Sequence, residues 1–151
     1  MGLIRRSRIR LVRIIFRMTP SRRLWLFLPA GLLFAFDVAI TLHGQPAAYW
    51  AGDTAGANEA NPIAYPLLAA SPWLVVGLAA RWLAVLGAVI VKWTSRWSHA
   101  LAMGIAFAHA LGGASWLLRS GDWGLAFAGV YLVFAAQFSI WCWGKGLRKG
   151  G

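Results

Sequence analysis

Asp37, Arg81 and His109 each sit deep inside a long apolar stretch of this 151-residue sequence. A carboxylate, a guanidinium and an imidazole can relay protons, hold an ion or ligand, or neutralise one another. In hydrocarbon each is costly without a partner or a wet cavity. Depth decides which of them can meet, so the elements that carry them come next.

Hydrophobic residues make up 60% of the chain and charged residues 13%. A soluble domain is about half apolar and about a quarter charged. Four runs reach the roughly 20 mostly apolar residues that a helix needs to cross a bilayer: 24–43, 72–91, 99–118 and 123–143. The expected fold is an all-α membrane protein, a bundle of four transmembrane helices spanning residues 24–151. Short links make the last three spans antiparallel neighbours. The ten Trp residues suit the membrane–water interface.

The net charge is +11, and eight of the fifteen basic residues precede the first span. This placement argues for a cytoplasmic end beside anionic lipid rather than for nucleic acid as partner. Lys92, Arg96, Lys145, Arg148 and Lys149 fall on that same side of a four-span chain. The 44–71 loop opposite carries Asp53 and Glu59 and no basic residue. Both termini are therefore expected in the cytoplasm, and the chain in the cell's inner (plasma) membrane. Within the basic arm, 1–23, residues 3–18 read as an amphipathic helix. Ile4, Leu11, Ile15 and Met18 fall on one face, and Arg6, Arg10, Arg13 and Arg17 on another, where they would hold lipid headgroups. Ser21-Arg22-Arg23-Leu24 resembles a twin-arginine export signal. The missing small-residue cleavage site and the three later spans favour an uncleaved first span.

The 44–71 loop is long for a bundle connection. Asn61-Pro62 and Ser71-Pro72 both read as helix starts, with a capping side chain followed by Pro at the first helical position. A short helix over 62–70, a kink and then span two are expected. The short helix either lies on the outer face or dips inward, as a lid or as packing.

At about 1.5 Å per residue, Asp37, Arg81, His109 and Tyr131 all lie roughly 9–14 Å below the outer boundary. Opposite charges at matched depth suggest an Asp37–Arg81 ion pair with His109 and Tyr131 nearby, and Thr41 one turn above Asp37. The recurrence of Ala102, Ala106, Ala110 and Ala114, with Gly104, Gly112 and Gly113, predicts a tightly packed third span.

Asp37-x-x-x-Thr41, then Glu59-x-Asn61-Pro62, then a basic residue at Arg81 resembles a family of small prokaryotic membrane proteins known as a domain of unknown function. The resemblance covers about residues 30–92, and the family more often has Lys where Arg81 stands. It implies no activity. It implies that Glu59 and Asn61 belong with the Asp37 group.

Three functions are compatible with these residues to different degrees. A non-enzymatic binding, accessory or assembly protein needs the fewest assumptions. It would work with the bilayer, as a homo-oligomer or within a larger membrane complex. Buried ionisable groups also permit ion, proton or small-solute transport, and four spans would then need to oligomerise. A hydrolase is disfavoured. Gly113-Ala114-Ser115-Trp116 lacks the final Gly of the rhomboid-like Gly-x-Ser-Gly, and Ser115 and His109, six residues apart, face different ways. His43, Glu59 and His109 show no metal-ligand spacing. Cys142, the single cysteine, permits no internal disulfide. No catalytic residue, metal or cofactor is expected.

Overall fold

The computed structural model describes residues 20–93 and 96–147. The amphipathic reading of the arm, with Arg6, Arg10, Arg13 and Arg17, lies outside the described residues. The elements are α1 (Pro20–His43), α2 (Ala47–Trp50), a 3-10 turn (Thr54–Gly56), α3 (Ala64–Ala70), α4 (Pro72–Lys92), α5 (Arg96–Leu117), a second 3-10 turn (Gly121–Trp123) and α6 (Gly124–Leu147).

Among the described residues, four segments are long and apolar enough to cross a membrane: Arg22–His43, Pro72–Lys92, Trp97–Leu117 and Gly121–Gly146. Their outer faces are strongly apolar. Leu125 is 78% exposed and Phe134 67% exposed, which water would penalise over so large a surface and lipid would not. The chain is a multi-pass membrane protein.

Helix α1 is the hub. It packs along α4, α5 and α6, whereas α4 and α5 meet over only a short stretch. The third span is tightly packed as expected, but the central helix is the first. The reason lies in side-chain size. On α1, Leu26, Ala30 and Leu33 form a buried stripe at helical spacing. It meets Ala102, Ala106 and Ala110 of α5 and Ala135 of α6. Such small residues let helix backbones approach closely. Helix α4 is peripheral. Only 11% of its apolar window is buried, against 33% for α1 and α5.

The first and last spans run antiparallel. Trp143 Nε1 donates to the Leu26 carbonyl at 3.3 Å, and Trp25 stands edge-on to Trp141 at 5.5 Å between ring centroids. Residues 20 and 147 therefore lie at one end of the bundle. The 44–71 segment caps the other.

That cap is built on hydrogen bonds. Gln45 extends α1 by donating to the Thr41 carbonyl at 2.8 Å. Its amide also pairs with the Asn58 backbone, accepting from N–H at 2.8 Å and donating to C=O at 3.2 Å. Tyr49, buried, donates to the Leu68 carbonyl, and Thr54 Oγ1 to that of Ala69. The short helix forms as Ala64–Ala70, two residues later than expected. The expected Asn61 cap is not formed: Ile63 stands at the N-cap without a side-chain bond, and Asn61 instead shapes the turn before it, its Oδ1 accepting from Ile63 N–H and its carbonyl from Tyr65 N–H. Ser71 caps α4 through Trp73 N–H, with Pro72 opening the helix.

Candidate functional site

Asp37 continues the buried stripe of α1. It stands four residues beyond Leu33 and seven beyond Ala30, so it points where they point. His109 does the same on α5, three residues past Ala106 and four short of Gly113. Tyr131 does the same on α6, between Ala128 and Ala135. Three core-facing stripes thus each place one polar side chain at a similar depth.

The structure joins two of them directly. His109 Nδ1 lies 2.8 Å from Asp37 Oδ2. With Asp37 ionised, the imidazole N–H donates and the carboxylate accepts. The side chains are 26% and 18% exposed, respectively. The Phe34 ring stands edge-on to the imidazole at 4.5 Å, fixing its plane. This bond ties α1 to α5.

Gly112 explains how a carboxylate comes so close to the α5 backbone. A Cβ added there would lie 2.5 Å from Asp37 Oδ2 and 2.7 Å from Oδ1. Gly113 serves the third member. A Cβ there would lie 2.9 Å from Tyr131 Oη and 3.0 Å from Phe36. The Phe36 and Tyr131 rings stack at 4.8 Å, which ties α1 to α6. The Tyr131 hydroxyl is buried with no hydrogen-bond partner among the described residues.

The expected Asp37–Arg81 ion pair is not formed. Asp37 is taken by His109, and Arg81 is exposed on α4. The cause is rotation about the helix axis. Helix α4 packs through Leu86 and Ile90, and at 100° per residue Arg81 falls about 140° and 180° from them. Matched depth was met and matched direction was not.

The remaining expected members are dispersed. Glu59 stays in the cap, its Oε1 accepting from Asn61 N–H at 2.7 Å. Asn61 shapes the turn before the short helix and lines a groove that also holds Arg81. Thr41 contributes its carbonyl to Gln45. Gln45, which no sequence motif marks, clamps the cap against Asn58 of the loop's polar cluster. Arg119 binds Asn58 Oδ1 at 3.2 Å and lies over the Trp116 ring at 4.3 Å, which draws α5 into the same clamp. Polar side chains on both sides of a Gly/Pro-rich turn were the available signal.

Ser115 Oγ donates to the Gly112 carbonyl at 2.7 Å within its own helix. Among the described residues, no three His, Cys, Asp or Glu side chains gather in a metal-sized group. Two grooves of about 670 and 620 Å³ flank the bundle, one between α5 and α6 and one between α1, α3 and α4. Asp37, His109 and Tyr131 line neither. Compared with family models, curated proteins and solved structures, the chain matches none.

Proposed function

We propose that this chain is a small inner-membrane protein with a non-enzymatic binding, accessory or assembly role. Its termini lie in the cytoplasm and its 44–71 cap outside. One observation carries the reading: Asp37 and His109 satisfy each other, with the carboxylate seated on Gly112, and neither lines a large groove. Such a pair sets the register of α1 against α5 rather than presenting a group to a substrate. Interhelical hydrogen bonds in a membrane contribute about 0.6–1.7 kcal/mol each, enough to select one packing among close alternatives.

The surroundings support a binding role. The apolar groove between α5 and α6, with Met103, Phe107 and Ile140 on its walls, suits a second copy or a larger membrane complex. The basic arm suits anionic headgroups through Arg6, Arg10, Arg13 and Arg17. The resemblance to the small prokaryotic family with Asp-x-x-x-Thr and Glu-x-Asn-Pro is compatible with this reading and adds no activity to it.

Proton or ion transport is the second reading. It is favoured by the unpartnered Tyr131 hydroxyl, which abuts Gly113 next to the glycine that seats Asp37. Sealed vesicles with a pH gradient separate the two. The register role predicts no proton flux above empty vesicles from the reconstituted protein. A flux that Asp37→Asn abolishes would replace it with transport.

A further inference from the structure

Arg81 is the one Lys or Arg in the interior of the four spans. It is exposed and makes no hydrogen bond or ion pair among the described residues. A cation at this depth needs a counter-charge. The chain has four acidic residues: Asp37, Asp53, Glu59 and Asp122. Asp37 is engaged by His109, Asp53 and Glu59 lie in the cap, and Asp122 is the second residue of the last span, at its very end. A second copy therefore brings no free acid at the depth of Arg81, and the anion must come from elsewhere.

Arg81 lines the groove of about 620 Å³ between α1, α3 and α4, a volume within the usual range of ligand sites. Phe34, Leu67, Trp82 and Val85 supply apolar walls, and Asn61 of the cap lines it too. The shape of Arg81 matters here. Helical side chains lean toward the N-terminus of their helix, which for α4 is the capped end. The guanidinium thus leans along the groove toward Asn61 and the headgroup region. Trp82 adds a second sign. The other nine Trp residues lie near helix ends or in the cap. Trp82 alone stands mid-span, on a groove wall beside Arg81.

We propose that this groove is a binding site for one anionic phospholipid, its phosphate on Arg81 and an acyl chain along the apolar wall. Charge complementarity selects the head, and the groove selects the tail. The site depends on α4 crossing a bilayer and is independent of the role given to the Asp37–His109 pair.

The test is native mass spectrometry of the full chain released from nanodiscs of equal phosphatidylglycerol and phosphatidylcholine. Wild type should retain one phosphatidylglycerol in preference to phosphatidylcholine. Arg81→Gln should reduce that preference about tenfold, the worth of a charge-assisted hydrogen bond of roughly 1.5 kcal/mol. Arg81→Lys should keep most of it. Ala79→Trp, which narrows the groove and leaves Arg81, should displace the lipid. The basic arm is unchanged in all three variants, so lipid held only there would survive in each. Equal retention by wild type and Arg81→Gln would overturn the proposal. So would equal loss of both lipids, or an acidic residue of another protein cross-linked to position 81 in place of lipid.

Discussion

His109 Nδ1 and Asp37 Oδ2, 72 positions apart in sequence, meet at 2.8 Å in the interior of the bundle. The contact exists because α5 offers no side chain at Gly112 where the carboxylate lies. A polar bond between helices in lipid thus depends on a missing methyl group. Around it, Phe34 holds the imidazole and the Phe36–Tyr131 stack brings in α6.

Gly112→Ala should therefore break the pair without touching either partner. Its Cβ would stand 2.5 Å from Asp37 Oδ2, and overpacking of this kind costs about 1–3 kcal/mol. Unfolding in mixed micelles with rising denaturing detergent measures it. Gly104→Ala is the control, since a Cβ there meets nothing within 4 Å, and should be neutral. In an Asp37→Ala background most of the Gly112→Ala cost should vanish.

Tyr131→Phe should be neutral or slightly stabilising. The hydroxyl is buried and unpartnered, so its removal relieves a desolvation penalty of about 1 kcal/mol while the ring stack on Phe36 remains. Tyr131→Ala should destabilise by about 3 kcal/mol through the lost ring. The same detergent titration reads both. A large loss in Tyr131→Phe would reveal a partner for the hydroxyl and favour the proton-handling reading.

The cap should loosen at high pH. Burial pushes the Tyr49 phenol above its ordinary value near 10. Its neutral form is therefore favoured by folding. That contribution is fully present below pH 10 and is lost as pH rises through 10 toward the folded value. The phenol O–H that bonds the Leu68 carbonyl at 3.1 Å is lost in the same step. Hydrogen exchange across residues 45–70 should speed up above pH 10 in the wild type. Tyr49→Phe should exchange faster at neutral pH and show less of that rise.

Much of the architecture was legible. Apolar length located the spans to within a few residues, because backbone groups in hydrocarbon must close their bonds within a helix. Ser71-Pro72 announced a helix start by local chemistry alone, whereas Asn61-Pro62 formed a turn and the short helix began at Ala64. The alanine run of α5 marked a buried face, and Ala102, Ala106, Ala110 and Ala114 are all buried. Depth along the helices matches Asp37 to Arg81, whereas rotation about their axes matches it to His109. The stripe Leu26, Ala30, Leu33, Asp37 and the opposition of Arg81 to Ile90 were both present in the sequence. The hub role of α1 was not legible, since it depends on three helices choosing the same neighbour. The Gln45–Asn58 clamp was half legible: polar side chains flank the turn, but a backbone partner thirteen residues away leaves no spacing pattern.

The most direct test of the Asp37–His109 pair is a double-mutant cycle in lipid bicelles, with Asp37→Ala, His109→Ala and the double variant measured by unfolding. Each single change should cost about 1–2 kcal/mol. The double change should cost no more than the worse single one, since either loss already removes the shared bond. Strictly additive costs would mean that Asp37 and His109 act separately, and the pair would no longer explain how α1 and α5 are held in register.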